Sequence, residues 1–152
     1  MQARIPNPAF VVPNAMEALI ALSDSVRNAG LPANLSELIN LRASQINGCG
    51  VCMEGHCTLA RREGETNERL DAVAYWRHAP YFTDAERAAL ALTECVTRLS
   101  DRDDPVPDAI WQEAAKHYDE KALATIVMQV AVINVWNRLN VATAQVMGEW
   151  KP

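Results

Sequence analysis

The chain has 152 residues, the length of one ordinary domain, and 49% of them are hydrophobic and 22% charged, a composition typical of a folded globular protein. The net charge is -5 and no basic cluster is present, which excludes the charge pattern of a nucleic-acid-binding protein. No signal peptide is expected, because no continuous apolar run follows the charge at the N-terminus, and no apolar stretch is long enough to span a bilayer comfortably. The sequence therefore predicts one soluble, cytoplasmic domain over residues 1–152 that binds neither nucleic acid nor membrane.

Helical signals follow one another along the chain, and no segment has the period-two alternation of a strand. The residues expected to start helices are, in chain order, Asn14, Asn34, Cys49, Thr66, Thr83 and Asp119. Asn34 with Glu37, and Thr83 with Glu86, have the spacing of a capping box. The residues expected to end helices are Gly30, Gly48, Gly64 and Pro80. The pattern predicts an all-α bundle of six or seven helices.

The last predicted helix runs from Glu120 to about Val146 and is apolar on more than one side. Its apolar residues include Leu123, Ile126, Val127, Val130, Val132, Ile133 and Val135. In a domain of this size, such a helix needs more cover than its own chain provides. We therefore expect this helix to contribute to the interface of a homo-oligomer.

Three of the four cysteines, Cys49, Cys52 and Cys57, lie within nine residues, whereas Cys95 stands alone. A secreted disulfide framework would distribute its cysteines to connect distant segments. A cluster in an intracellular chain indicates redox chemistry or metal binding instead.

The cluster reads Cys49-Gly50-Val51-Cys52, and His56 follows three residues after it. If a helix starts at Cys49, then at about 100° per residue Cys52 and His56 point within roughly 60° of the direction of Cys49. The helix N-terminus favours a thiolate, and a nearby histidine can take or deliver the proton. Glu37, on the preceding predicted helix, is close enough to fold back towards the cluster. These residues are the components of a dithiol redox centre.

A zinc site is the main alternative, because three cysteines and a histidine form a legitimate ligand set. Cys57 points about 80° away from Cys49, on the far side from His56, so four ligands on one helix cannot close a tetrahedron. No second cysteine pair completes the set. We interpret Cys57 and Cys95 as small buried hydrophobic residues. The tryptophans are interpreted as core or interface residues: Trp76, Trp111, Trp136 and Trp150.

Glu37, Cys49-Gly50-Val51-Cys52 and His56 together resemble the Glu…CxxCxxxH signature of alkylhydroperoxidase D-like proteins, in the carboxymuconolactone decarboxylase superfamily. The stretch from Ile133 to Asn140 resembles a late helix of the peroxidase-related branch, and residues 14–147 can be matched in all. The resemblance implies the helical bundle of that family.

The resemblance also implies a mechanism, in which Cys52 is the peroxidatic thiolate and attacks a hydroperoxide to form a sulfenic acid. Cys49 would resolve it as a Cys49–Cys52 disulfide, with Glu37 and His56 relaying the proton. An external dithiol, a lipoyl-bearing carrier or a thioredoxin-like protein, would reduce the disulfide, so that no further cofactor or metal is expected. Short members of the family assemble as hexamers, trimers of dimers. Some members carry a second histidine inside the cysteine pair, where this chain has Val51.

Two other functions remain open from the sequence. One is a carboxymuconolactone decarboxylase-type enzyme, in which Glu37 and His56 perform acid–base chemistry and the cysteines are incidental. The other is a non-catalytic redox or zinc module whose disulfide alters assembly.

Overall fold

The computed structural model describes residues 1–101 and 103–148, and the part of the chain that it describes contains helices and no strands. The predicted all-α fold is confirmed. The α-helices are α1 (Pro8–Val11), α2 (Ala15–Arg27), α3 (Ala33–Asn47), α4 (Gly50–Arg62), α5 (Asn67–Ala72), α6 (Asp84–Thr97), α7 (Asp108–Ala115) and α8 (Glu120–Ala142). Two 3₁₀ helices, Val73–His78 and Leu99–Asp101, follow α5 and α6. Trp150 lies outside the described residues.

Besides Cys49, which is described with the site below, three of the predicted helix starts are confirmed by side-chain caps. Thr66 accepts a hydrogen bond from the backbone N–H of Arg69, and Asp119 accepts one from that of Ala122. Thr83 and Glu86 form the complete reciprocal capping box. Each cap satisfies a backbone donor that the first turn of a helix leaves unpaired.

The predicted side-chain caps at Asn14 and Asn34 are wrong, although α2 does begin directly after Asn14. Asn14 precedes α2, but its backbone is left-handed, with φ 64°, and its side chain caps nothing. A side-chain N-cap is usually made from an extended backbone. Helix α3 begins one residue before Asn34, directly after Pro32, so Asn34 lies inside the helix and its amide donates to the Glu65 carboxylate at 3.2 Å.

The last helix ends at Ala142, four residues before the predicted Val146. Ala144 has a left-handed backbone, with φ 53°, which stops the helix. The N-terminal segment contacts this end, since the backbone N–H of Arg4 donates to the carbonyl of Thr143 at 2.9 Å. The segment after α8 is therefore a turn that holds the N-terminus.

Helices α3 and α8 form the centre of the bundle, and α4 and α6 pack against α3. Ile39 of α3 and Ile126 and Val130 of α8 are fully buried in the same cluster. Of the described helices, α8 is long and apolar enough to cross a membrane, but half of its most apolar window is buried inside the chain. That burial is expected of the core helix of a soluble protein.

Part of the apolar surface of α8 is not covered by the chain itself. Met128, Val135 and Val141 are 42%, 37% and 45% exposed. The predicted subunit interface on this helix stays a prediction.

Candidate active site

The turn between α3 and α4 places the first cysteine at a helix start, as predicted. Gly48 ends α3 in the left-handed conformation, with φ 68°, which glycine adopts without steric cost. Cys49 is the N-cap of α4, and its sulfur accepts a hydrogen bond from the backbone N–H of Cys52 at 3.3 Å. The sulfur of Cys49 therefore lies where unpaired backbone donors favour negative charge.

Cys49 and Cys52 are joined by a disulfide, with their Cα atoms 5.3 Å apart. Both are buried, Cys49 at 2% exposure and Cys52 at 7%. Cys52 lines a cavity, whereas Cys49 is not part of its lining. The two cysteines thus differ in their contact with the cavity, although their sulfurs are bonded to each other.

Glu37 and His56 are brought together by the packing of α3 on α4. The Nδ1 atom of His56 lies 2.6 Å from a carboxylate oxygen of Glu37, and both side chains are mostly buried. With a carboxylate as its acceptor, Nδ1 carries the proton, which leaves Nε2 of the neutral ring free to accept one. Both residues line the same cavity as Cys52.

The cavity has a volume of about 440 Å³ and collects side chains from the N-terminal segment and from α2, α3, α4 and α8. Its apolar lining consists of Phe10, Met16, Ile20, Val51, Leu59, Val132, Ile133 and Trp136. Asn7, Asn40, Gln129 and Asn140 are among its polar residues. Val51, which lies between the two cysteines, also lines this space.

Trp136 has a role that the sequence did not indicate. It lines the cavity and donates from its indole N–H to the Ser23 hydroxyl at 3.1 Å. Of the other tryptophans, Trp76 is buried in the core, as predicted, whereas Trp111 is 36% exposed. Part of the aromatic lining of the cavity therefore comes from a residue interpreted as core or interface.

Buried amides fix the turn that carries Cys49. Asn47, at the end of α3, donates to the side-chain oxygens of Asn134 and Asn137 at 3.0 and 2.9 Å. Asn137, fully buried, donates in turn to the Ser44 hydroxyl at 3.0 Å. These bonds cross-link α3 to α8 one turn before the cysteine pair, and each would leave a costly unpaired buried group if broken.

The remaining cysteines lie away from the cavity. Cys57 is partly buried against the core cluster of Leu38 and Leu41, and burial raises the pKa of its thiol. Cys95 is 7% exposed on α6. Within residues 1–101 and 103–148, no three His, Cys, Asp or Glu residues are grouped so that they could hold a metal ion.

The family model described as Carboxymuconolactone decarboxylase family matches residues 13–94, which include both cysteines of the pair, Glu37 and His56. The chain belongs to the carboxymuconolactone decarboxylase family. A relative over nearly the full length is the uncharacterized protein YdfG of Bacillus subtilis, 31% identical over 132 residues, which cover 87% of this chain and 88% of that protein.

Solved structures extend the likeness to the fold. A protein of unknown function from Agrobacterium tumefaciens, proposed as an antioxidant defence protein AhpD, superposes with a TM-score of 0.91 at 31% identity and covers 98% of this chain and 100% of its own. The debrominase Bmp8 superposes with a TM-score of 0.81 at 22% identity over 90% of this chain and 73% of its own, which shows the shared fold alone. Membership of the alkylhydroperoxidase D-like group is thereby confirmed.

Proposed function

We propose that the protein is a thiol-dependent peroxidase that reduces hydroperoxides through the Cys49–Cys52 pair and serves antioxidant defence. One observation carries the proposal. Of the two bonded cysteines, only Cys52 belongs to the lining of the cavity, which it shares with the Glu37–His56 pair. A substrate in the cavity can reach one cysteine, and the other is positioned to resolve the product.

The first step begins from the reduced pair. The Cys52 thiolate attacks the terminal oxygen of a hydroperoxide, the O–O bond breaks, and Cys52 becomes a sulfenic acid. The leaving alkoxide takes a proton and departs as the alcohol. His56, with Nδ1 held by Glu37, is the group on this cavity that can remove the thiol proton and return it to the alkoxide.

The second step closes the disulfide. The Cys49 sulfur attacks the sulfenic sulfur of Cys52 and releases water, and the short span between the two residues needs little movement of the chain. An external dithiol, a lipoyl-bearing carrier or a thioredoxin-like protein, then reduces the disulfide by exchange and is itself oxidised to a disulfide. Each cycle transfers two electrons from the dithiol to the peroxide.

The lining of the cavity favours organic hydroperoxides over hydrogen peroxide. Phe10, Ile20 and Trp136 supply apolar surface that a hydrogen peroxide molecule would leave in contact with water. An alkyl or aromatic hydroperoxide can bury its apolar part there while its oxygens meet Cys52. We therefore propose a larger kcat/KM for organic hydroperoxides.

Turnover with a defined donor tests the proposal. The protein is mixed with cumene hydroperoxide and dihydrolipoamide, and the alcohol product and oxidised dithiol are measured. We expect equal amounts of the two, many per protein chain, and a Cys57→Ser variant should match the unsubstituted protein. No alcohol above the protein-free rate with any small dithiol or thioredoxin would overturn the proposed function.

A further inference from the structure

Resting on the peroxidase function proposed above, we propose that Asn140 is a catalytic residue that donates a hydrogen bond to the reactive Cys52 sulfur, and that Asn7 holds the Asn140 amide in its donating orientation.

The contact that supports this role is between α8 and the start of α4. The Nδ2 atom of Asn140 lies 3.3 Å from Sγ of Cys52, within hydrogen-bond distance for a sulfur acceptor. Both residues line the cavity. A disulfide sulfur is a weak acceptor, but a thiolate is a strong one, so the bond gains strength when the pair is reduced.

Cys52 needs such a donor because the helix terminus serves the other sulfur. The backbone N–H of Cys52 donates to Cys49, the N-cap, and not to its own side chain. The N-cap therefore stabilises negative charge on the resolving cysteine. Asn140 supplies the corresponding donor to the cysteine that the substrate reaches.

A chain of hydrogen bonds fixes which end of the Asn140 amide faces the sulfur. The backbone N–H of Ala9, which can only donate, bonds the Asn7 side-chain oxygen at 2.9 Å. Asn7 must then present its NH₂ group to its neighbour, and it donates to the Asn140 side-chain oxygen at 2.7 Å. Asn140 consequently turns its own NH₂ group towards Cys52.

The N-terminal segment that carries Asn7 is held in place at the end of α8. Arg4 donates from its guanidinium to the carbonyl of Ala142 at 3.0 Å, and Gln145 donates from its amide to the carbonyl of Ile5 at 2.9 Å. These contacts fix the segment beside the cavity, to which Phe10 contributes lining. The N-terminal segment thus influences the Cys52 sulfur through the hydrogen bond from Asn7 to Asn140.

The charged groups on the cavity are engaged with each other. Arg27 pairs with Asp24 on α2 at 3.0 Å, and His56 pairs with Glu37. Asn140 donates directly to the sulfur, and its neutral amide remains a donor at every pH at which the protein is folded.

The experiment measures the reactivity of Cys52 without any peroxide. In a Cys49→Ser, Cys57→Ser background, the rate of alkylation of Cys52 by iodoacetamide is followed against pH by peptide mass spectrometry.

Asn140→Leu removes the hydrogen-bond donor to the Cys52 sulfur. Asn7→Asp is the sharper change, because the introduced carboxylate still accepts from Ala9 but cannot donate, so the Asn140 amide turns its oxygen towards the sulfur. Asn28→Leu, the same substitution at an exposed asparagine that follows α2 and does not line the cavity, is the matched control.

We expect both asparagine variants to raise the pH midpoint of alkylation by about one unit, which is about a tenfold slower reaction at pH values below the midpoint, and the Asn28→Leu variant to leave the midpoint unchanged. If Asn140→Leu does not fold, the Asn7→Asp variant alone decides. An unchanged midpoint in folded Asn140→Leu, or in folded Asn7→Asp, overturns the inference. Because alkylation needs no turnover, failure of the peroxidase function would leave this result standing, and the reverse also holds.

Discussion

Glu37 and His56 are nineteen residues apart in the chain, yet their side chains meet at 2.6 Å where α3 packs on α4. The pair stands on the same cavity as Cys52 and is mostly shielded from water. A carboxylate in this place orients the histidine ring and holds a proton on Nδ1, so that Nε2 faces the reaction as the acceptor. The pair is therefore suited to carry the proton that the thiol loses and the alkoxide gains.

Substitution Glu37→Gln should slow peroxide turnover about 100-fold, because general acid–base groups contribute on that order. The shape of the side chain is retained, so the thermal midpoint should change little. Glu63→Gln, an exposed carboxylate at the end of α4, is the control and should have no effect. An unchanged rate in folded Glu37→Gln would remove Glu37 from the mechanism.

The Cys52→Ser and Cys49→Ser variants should lose peroxidase activity in different ways. Cys52→Ser removes the nucleophile and should abolish peroxide reduction entirely. Cys49→Ser should consume one equivalent of peroxide, form a sulfenic acid that a dimedone probe labels, and then stall. Equal multiple-turnover activity in both variants would contradict the dithiol mechanism, and activity that survives Cys52→Ser would favour a decarboxylase-type reaction of Glu37 and His56.

Acid should destabilise the fold through Glu94, a buried carboxylate of α6. Its side chain accepts from Trp76 and forms ion pairs with Arg42 and Arg77 at 2.7 and 2.8 Å. Burial alone would raise the pKa of Glu94, but the hydrogen bonds from Trp76 and Arg77 and the charge of Arg42 outweigh it and lower the pKa. Because the pKa of Glu94 is lower in the folded than in the unfolded chain, its ionised carboxylate stabilises the fold. This stabilisation is complete above the pKa of glutamate in the unfolded chain, about 4.3. It is lost as the pH falls through the pKa of Glu94 in the folded protein.

The substitution Glu94→Gln should cost about 3 kcal/mol at neutral pH, because it leaves the mostly buried Arg42 guanidinium without its carboxylate partner, whereas the half-exposed Arg77 can turn to water. It should also flatten the pH dependence of stability below about pH 5. Urea unfolding followed by circular dichroism measures both. Glu113→Gln, on a fully exposed carboxylate, should leave the unfolding midpoint unchanged, and an equal loss in both variants would contradict the network at Glu94.

Local signals in the sequence were sufficient for the helices and for part of the site. Thr83 with Glu86 predicted its helix start because a capping box involves only neighbouring residues. The same spacing failed at Asn34, because the N-cap of α3 is Pro32, two residues earlier, and Glu37 is bonded to His56 instead. A capping pattern in the sequence does not show whether another residue, here His56, binds the glutamate carboxylate in the folded chain.

Asn7, Asn140 and Trp136 could not be predicted from their surroundings in the sequence. Asn7 and Asn140 are 133 residues apart, and their contact depends on how the N-terminal segment packs on the end of α8. Trp136 is interpreted as a core or interface residue because the neighbouring sequence does not show whether its side chain packs in the core or lines a cavity. These positions become visible only when the helices are assembled.

Assembly remains to be measured, and we expect a homo-oligomer, a hexamer built as a trimer of dimers. Met128 and Val135 are seven residues apart on α8, so they share one face, and both are exposed in the single chain. Light scattering at micromolar concentration should give a mass well above that of one 16.8 kDa chain, and Val135→Lys should lower it. Tyr75→Lys, at a position 74% exposed on another surface, should not. A stable mass equal to that of one chain would contradict the predicted interface.

The most direct test of the dithiol account is a single-turnover experiment on the reduced, unsubstituted protein. One equivalent of cumene hydroperoxide is added, remaining thiols are trapped with N-ethylmaleimide, and the cysteines are mapped by mass spectrometry. The account predicts one alcohol formed per chain, with Cys49 and Cys52 recovered as a disulfide and Cys57 still a thiol. Two results would contradict the account. In one, the peroxide is consumed but Cys49 and Cys52 are recovered as alkylated thiols; in the other, the peroxide is not consumed and both cysteines remain thiols.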